Sequence, residues 1–526
     1  MVGAYADDDA GGSSGSAYIF VRNGTTWTEQ EKLTASDAAS RDKFGNSVSI
    51  SGDYAVVGAY TDDDGGSSNS GSAYIFVRNG TTWSQQQKLT ASDAAAGDQF
   101  GNSVSISGDY AVVGAYADDD AGGQSGSAYI FVRNGTAWTE QQKLTASDAA
   151  SSDQFGRSVS ISGDYAVVGA HQNAGAGSRS GSAYIFVRNG TTWTEQEKLT
   201  ASDAASGDYF GSSVSISGDY AVVGAYADND AGSQSGSAYI FVRNGTAWTE
   251  QQKLTASDAD NYDKFGVGVS VSGDYAVVGA YANEDAGSQS GSAYIFVRNG
   301  TAWTEQQKLT ASDAAAGDQF GYSVSVSGDY AVVGAHGNDD AGGSSGSAYI
   351  FVMRCDASTA PTNGGVGNCT SSLASGDTCQ PTCNSGYTVS GTSSCSAGTL
   401  TAATCSANCD ASTAPTNGGV GDCTSSLASG NTCQPTCNSG YTVSGTSSCN
   451  AGTLTAATCD VPSPSPPPSP PPSPPPAPSP PPSPRPQVGA SAASSPSQAP
   501  SSQAPSPASR PRALVVLAIT AVLVVA

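Results

Sequence analysis

Polar and apolar positions alternate in short runs along the first 352 residues, and the same runs return at a fixed interval. In the unit from Phe100 to Asp153, Ser103-Val104-Ser105-Ile106-Ser107 has the period of two that marks a half-buried strand. Gly108-Asp109 then reads as a two-residue hairpin turn of the II′ kind. Tyr110 to Tyr116 forms a second, more apolar strand. A loop of Asp, Gly and Ser leads to a third, Ser127-Ala128-Tyr129-Ile130-Phe131-Val132. Asn134-Gly135 predicts a type I′ turn, with positive φ at both residues, before a fourth strand from Thr136 through Trp138 to Leu144.

This unit recurs. Phe-Gly stands at Phe44, Phe100, Phe155, Phe210, Phe265 and Phe320, a spacing of 55 or 56 residues. Val-Gly-Ala begins at Val2, Val57, Val113, Val168, Val223, Val278 and Val333. Four short antiparallel strands repeated at this period describe a β-propeller blade, which buries its faces only against its neighbours. The six tryptophans (Trp27, Trp83, Trp138, Trp193, Trp248, Trp303) fall one to each fourth strand and are expected to fill the space between blades.

The run Phe-Gly-Asn-Ser-Val-Ser-Ile-Ser-Gly-Asp-Tyr-Ala-Val-Val-Gly-Ala from Phe100, followed by Gly-Ser-Ala-Tyr-Ile-Phe-Val from Gly126, resembles the FG-GAP repeat. The resemblance implies, over residues 1–352, the seven-bladed propeller of integrin α chains and other extracellular proteins. Here the GAP element reads Gly-Ala-Tyr or Gly-Ala-His. A tight Ser-Gly-Asp turn replaces the Asp-rich calcium loop of integrin-type repeats, so those calcium sites are not carried over. The first unit opens inside its second strand and the last stops after its third, at Val352. Seven blades is the expected count, with a first strand and a signal peptide expected upstream of Met1. The alternative is six blades, closed by pairing first-unit strands three and four with last-unit strands one and two.

Strand direction alternates within a blade, so loops joining strands two to three and blade to blade share one face. That face collects acids. Asp7, Asp9, Asp62, Asp64, Asp118, Asp120, Asp228 and Asp230 in the two-to-three loops are candidate ligands for Ca²⁺, which favours oxygen-rich loops. The competing expectation is a solvated rim, since like charges about 7 Å apart in water cost only about 0.6 kcal/mol per pair. These loops also differ most between units, with a non-acidic version at His171 to Ser180. The opposite face carries Asn-Gly-Thr at Asn23, Asn79, Asn134, Asn189, Asn244 and Asn299, each an N-glycosylation pattern, as is Asn368-Cys369-Thr370. Gly-x-Ser-x-Gly patterns at Gly11 and Gly342 lie in low-complexity loops without a matching His and acid, so no catalytic residue is assigned and no enzyme is expected.

Composition changes abruptly after the repeats. All 12 cysteines lie between Cys355 and Cys459, in two near-identical modules, 355–405 and 409–459. Their even number and clustering predict disulfides formed in an oxidising compartment, and six cysteines per module allow 15 pairings. Cys379-Gln380-Pro381-Thr382-Cys383 through Gly386-Tyr387, Gly391, Cys395 and Cys405 resembles the second half of a sushi module. That resemblance implies Cys355 with Cys395 and Cys383 with Cys405, leaving Cys369 with Cys379. The second module repeats the spacing with Cys409, Cys423, Cys433, Cys437, Cys449 and Cys459.

Residues 460–512 form a Pro/Ser-rich disordered stalk, its Ser-Pro-Pro-Pro repeats favouring extended polyproline II. They resemble the hydroxyproline-rich spacers of plant and green-algal wall glycoproteins. The apolar tail 513–526 is short for a membrane span, which needs about 20 residues, and fits a GPI-attachment signal better. A formal charge of -25 excludes a nucleic-acid partner, because phosphate binding needs a basic surface. The expectation is thus an all-β surface protein, anchored through its C-terminus, that presents a propeller to an extracellular protein or glycan. The alternative is a structural wall glycoprotein without a specific ligand. No cofactor beyond Ca²⁺ is suggested, and no oligomeric state.

Overall fold

The computed structural model describes residues 1–463 and 524–525, apart from positions 25, 65–66, 344, 372, 375–376 and 397–398. The rest of the predicted stalk and tail lies outside the described residues. Among those described, no helix is long and apolar enough to cross a membrane. The chain divides into two compact units, the propeller and most of the first cysteine module in one, the second module in the other.

The repeats fold into seven separate antiparallel sheets, blades 1 to 7, at residues 2–33, 48–89, 103–144, 155–199, 213–254, 269–309 and 320–352. Blades 2 to 6 have four strands in chain order. Blade 1 has the second to fourth and blade 7 the first to third, and Val524–Val525 lies parallel to the second strand of blade 1. First-unit and last-unit strands do not share a sheet, so the six-bladed alternative is wrong.

Blade 3 shows how the sequence sets the strands. They span Ser103–Ser107, Tyr110–Ala115, Ser127–Asn134 and Ala137–Leu144. Ser107 pairs with Tyr110, and Gly108 between them has φ +59°, as a II′ turn requires at its first central residue. The second turn differs from expectation. Asn134 remains in its strand opposite Ala137, so the turn centres on Gly135-Thr136, and only Gly135 takes positive φ, at +65°. One glycine in register does the work that the type I′ expectation divided between two residues.

Hydrophobic cores lie between blades. Phe100, Tyr129, Phe131 and Trp138 of blade 3 pack with Val56, Ile75 and Leu89 of blade 2. Full burial of side chains of this size is worth roughly 1.5–3 kcal/mol each. The Trp138 ring meets Tyr54 of blade 2 edge-on at 6.0 Å, while its indole N–H donates to Gln86 and its backbone N–H to Gln87. The tryptophans therefore serve as blade-to-blade packing. The same contact closes the ring: Trp27 of blade 1 lies edge-on to Tyr330 of blade 7 at 5.8 Å, and the Arg22 guanidinium sits over that tyrosine at 5.0 Å.

Two further contacts explain the polar positions of the motif. The first strand of each blade is the innermost, and its outward edge would leave N–H groups unpaired. Serines of the preceding blade accept from them: Ser47 from Val104, Ser49 from Ile106 and Ser51 from Gly108. The alternation of Ser-Val-Ser-Ile-Ser is therefore not a wet face against a dry one, because half its polar side stitches neighbouring blades. The glycine of the Gly-Ala pair in blades 1 to 6 presses on the next blade. A Cβ on Gly114 would stand 2.0 Å from the carbonyl oxygen of Gly156.

In the cysteine-rich region, the bridges are Cys355–Cys395, Cys369–Cys379 and Cys383–Cys405, then Cys409–Cys449, Cys423–Cys433 and Cys437–Cys459. This is the pairing the sushi resemblance implies. Each module has a small core made largely of its own half-cystines, with Leu373 and Leu400 in the first and Leu427 and Leu454 in the second.

Candidate recognition site

The loop face has two concentric parts. In the outer part, a lysine near the end of each fourth strand points into the rim acids, which come from two loops in blades 2, 3, 5 and 6. Lys143 Nζ lies 2.7 Å from Asp93, in the loop entering its blade, and 2.9 Å from Asp118, and also pairs with Asp120. The Tyr129 hydroxyl donates to Asp93 and Asp118 at 2.9 and 2.8 Å. Burial would raise the Asp93 carboxyl, but its bonds from Lys143 and Tyr129 outweigh burial and hold it below the ordinary range. Burial first, then the carboxylates of Asp118 and Asp93, drive the Tyr129 phenol far upward.

This arrangement places the predicted metal ligands. Asp7 and Asp9 pair with Lys32, Asp62 and Asp64 with Lys88, Asp118 and Asp120 with Lys143, and Asp228 and Asp230 with Lys253. Carboxylate oxygens of Asp93, Asp118 and Asp120, and of Asp203, Asp228 and Asp230, lie within 4.8 Å of one another, close enough to share one cation. In each trio an ammonium already stands at the shared point. In blade 4, the non-acidic loop gives Lys198 the amide oxygen of Asn173 at 3.0 Å beside Asp148 at 2.6 Å.

Beneath the rim, a second acid in each inter-blade loop turns back on its own backbone. Asp42 accepts from the Ala39 N–H at 2.6 Å and is buried, and burial pushes its carboxyl up to about 6. Asp98, Asp208 and Asp263 are raised for the same reason.

The inner part surrounds the axis of the propeller. First strands of blades 3 to 7, with Asn46 and Ser47 just before that of blade 2, line a channel of about 440 Å³, and a second cavity of about 200 Å³ adjoins it, with Asn46, Asn102, Arg157 and Tyr322 lining both. The residue after each Gly-Ala rings the mouth: Tyr5, Tyr60, Tyr116, His171, Tyr226, Tyr281 and His336, all lining one cavity or the other. Cations rest on this ring. Lys43 donates to the Tyr60 hydroxyl at 2.7 Å, and the Arg157 guanidinium lies 5.1 Å from the centre of the Tyr116 ring. Lys264 lies 5.3 Å from the centre of Tyr226, which stacks on Tyr209. Burial, then the charges of Arg157 and Arg179, lower His171 to about 3, and burial lowers His336. Both imidazoles are neutral at physiological pH.

The residue after each Phe-Gly varies along the ring, as Asn46, Asn102, Arg157, Ser212, Val267 and Tyr322, more than the strands around it. Six units tile the chain, matching the FG-GAP repeat model at residues 27–76, 83–131, 138–186, 193–241, 248–296 and 303–351. The chain belongs to the FG-GAP repeat family. No curated protein matches it. Each FG-GAP match starts in the fourth strand of one blade and ends in the third of the next, so the sequence unit straddles the very interface that Trp138 and its counterparts fill.

The asparagines Asn23, Asn79, Asn134, Asn189, Asn244 and Asn299 end the third strands, and all are exposed, as is Asn368. They lie at the opposite ends of the blades from the FG-GAP mouth. The mouth itself escaped the sequence assignment of candidate sites. Its signal was present in the departure from the family pattern, Tyr or His after Gly-Ala, and in unpatterned Lys43, Arg157 and Lys264.

Proposed function

We propose that this chain is a cell-surface recognition protein whose propeller presents its loop face to an extracellular protein or glycan. One observation carries the proposal: inside a ring of tyrosine and histidine that repeats around the mouth, the residue after each Phe-Gly changes along the channel, from Asn46 and Asn102 to Arg157, Ser212, Val267 and Tyr322. A repeat that served only as a building block has no need of a distinct central set. FG-GAP propellers are often found in extracellular adhesion proteins, and six disulfides suit the same compartment. The propeller is read as non-catalytic, the Pro/Ser-rich segment as a spacer, and the apolar C-terminal run as a GPI signal.

Near-identity of the repeats and the Ser-Pro-Pro-Pro run favour a second reading, a structural wall glycoprotein. Screening the soluble head against arrays of extracellular proteins and glycans separates the two. Saturable binding that competes with a soluble ligand supports recognition; an array silent throughout supports the structural role. Release of the chain from cells by a phosphatidylinositol-specific phospholipase tests the anchor, and retention on the membrane rejects a GPI group.

A further inference from the structure

We infer that the channel mouth is a binding site for an acidic saccharide, with Arg157 receiving the anionic group and the surrounding tyrosines receiving the sugar faces. This deepens the recognition reading and rests on it.

The first observation is charge. Although the protein carries a formal charge of -25, no carboxylate lines either cavity among the described residues. Every fourth-strand lysine of blades 1 to 6 is matched by aspartate on the rim. Lys43 and Arg157, both lining the mouth, have no carboxylate partner among the described residues. Arg157 donates to Asn102 Oδ1 at 3.2 Å, which leaves most of its five N–H donors for a ligand. A planar guanidinium suits a bidentate carboxylate or sulfate.

The second observation is unmet hydrogen bonding. His171 is 8% exposed and lines the channel, and His336 lines the mouth; the Nδ1 atoms of both are buried without a hydrogen-bond partner. Buried polar atoms are normally satisfied, and each exception in a native fold calls for a partner. Neither Nδ1 is open to the cavity as it stands, so a sugar hydroxyl would donate to it only as the imidazole rotates toward the ligand. Asn46 and Asn102 also line both cavities, and their side-chain amides hold the mouth together: Asn46 donates to the Asn102 carbonyl at 2.9 Å and Asn102 to the Arg157 carbonyl at 3.0 Å.

The third is shape and surface. Tyr60, Tyr116 and Tyr322 give the smaller cavity aromatic walls with polar tips. Such walls accept the C–H faces of a sugar while its hydroxyls reach the surrounding amides. An extended apolar peptide would find no apolar pocket there, since the smaller cavity is lined by tyrosine, histidine, asparagine and cations.

The test is calorimetric titration of the soluble chain with four probes: an oligogalacturonate, a sulfated galactan fragment, a neutral galacto-oligosaccharide of equal length, and sodium acetate. The expected result is saturable binding of one or both acidic oligosaccharides, at least tenfold tighter than the neutral one, with acetate far weaker. The carboxylated and sulfated probes reveal which anion is preferred. Arg157→Gln should weaken binding at least tenfold, Arg157→Lys should recover part of it, and Lys43→Gln should cost less. Melting temperatures of the variants identify any loss that comes from unfolding; if Arg157→Gln does not fold, Lys43→Gln carries the test. Equal affinity for neutral and acidic probes, or none for any saccharide, overturns the inference. If the sugars are silent but an extracellular protein binds the head, the saccharide site is wrong and recognition stands. If nothing binds, both are wrong.

Discussion

Rim and mouth occupy the same face and are built from the same repeat, yet they treat charge in opposite ways. On the rim, each lysine is enclosed by acids at repeated positions, as Lys143 is by Asp93, Asp118 and Asp120. At the mouth, Lys43 and Arg157 lean on tyrosine faces and face no acid. Neutralised, repeated charge belongs to folding, because it closes each inter-blade loop onto its blade. Unneutralised, unrepeated charge stabilises nothing of that kind, and such groups persist most readily where a ligand supplies the missing partner.

Substitutions that damage the shared framework should cost the most. Trp138→Ala empties the junction of blades 2 and 3 and is expected to destabilise the propeller by about 3–5 kcal/mol in chemical denaturation. A cost under about 1 kcal/mol would show that the ring does not depend on this seam. Lys143→Met leaves three carboxylates facing one another without their cation. A loss of about 3 kcal/mol is expected, with partial recovery in millimolar Ca²⁺, whereas the melting temperature of the wild-type chain should not move. A wild-type shift with Ca²⁺ would mean that the ion displaces lysine and that the rim is a metal site after all.

Smaller effects sharpen the contrast. Ser105→Ala removes the acceptor of the Ile161 N–H between innermost strands, an expected loss of about 1–3 kcal/mol. The raised Asp42 carboxyl binds its proton more tightly folded than unfolded. Its contribution is therefore fully present below the unfolded carboxylate pKa, near 4, and is lost as pH rises through about 6. Asp42→Asn should flatten that part of the stability–pH curve, read as melting temperature at each pH; an unchanged slope would reject the buried-acid assignment. Arg157→Gln, at the mouth, should change stability by no more than about 0.5 kcal/mol. A larger loss would make Arg157 part of the framework.

Much of this architecture was legible in the sequence because repetition multiplies a weak signal. One Ser-Val-Ser-Ile-Ser run could be any short strand; four of them, with the variants at 268–272 and 323–327, each followed by Gly-Asp, fix blade, turn and face. The limits were local. Asn134-Gly135 carries the letters of a type I′ turn, but pairing of Asn134 with Ala137 shifts the turn by one residue. The serines of the first strand read as solvent-facing because a period of two does not say which neighbour covers a face. The acids left a metal site and a solvated rim both open, and the lysine was missed, because Lys143 lies 23 residues beyond Asp120 in sequence and meets it only when the fourth strand returns to the loop end. The mouth was hardest to see, since the tyrosine or histidine after each Gly-Ala reads as one more strand residue until seven blades bring those positions around one axis.

The distinction between framework and site is tested most directly by one paired comparison. Affinity of the soluble chain for an oligogalacturonate is measured for the wild type, Arg157→Gln and Lys143→Met, at a temperature where all three remain folded. The account predicts that Arg157→Gln loses at least tenfold in affinity at unchanged stability, while Lys143→Met loses stability and keeps its affinity. Wild-type affinity in Arg157→Gln, with affinity lost in Lys143→Met, would put the binding surface on the rim and contradict it.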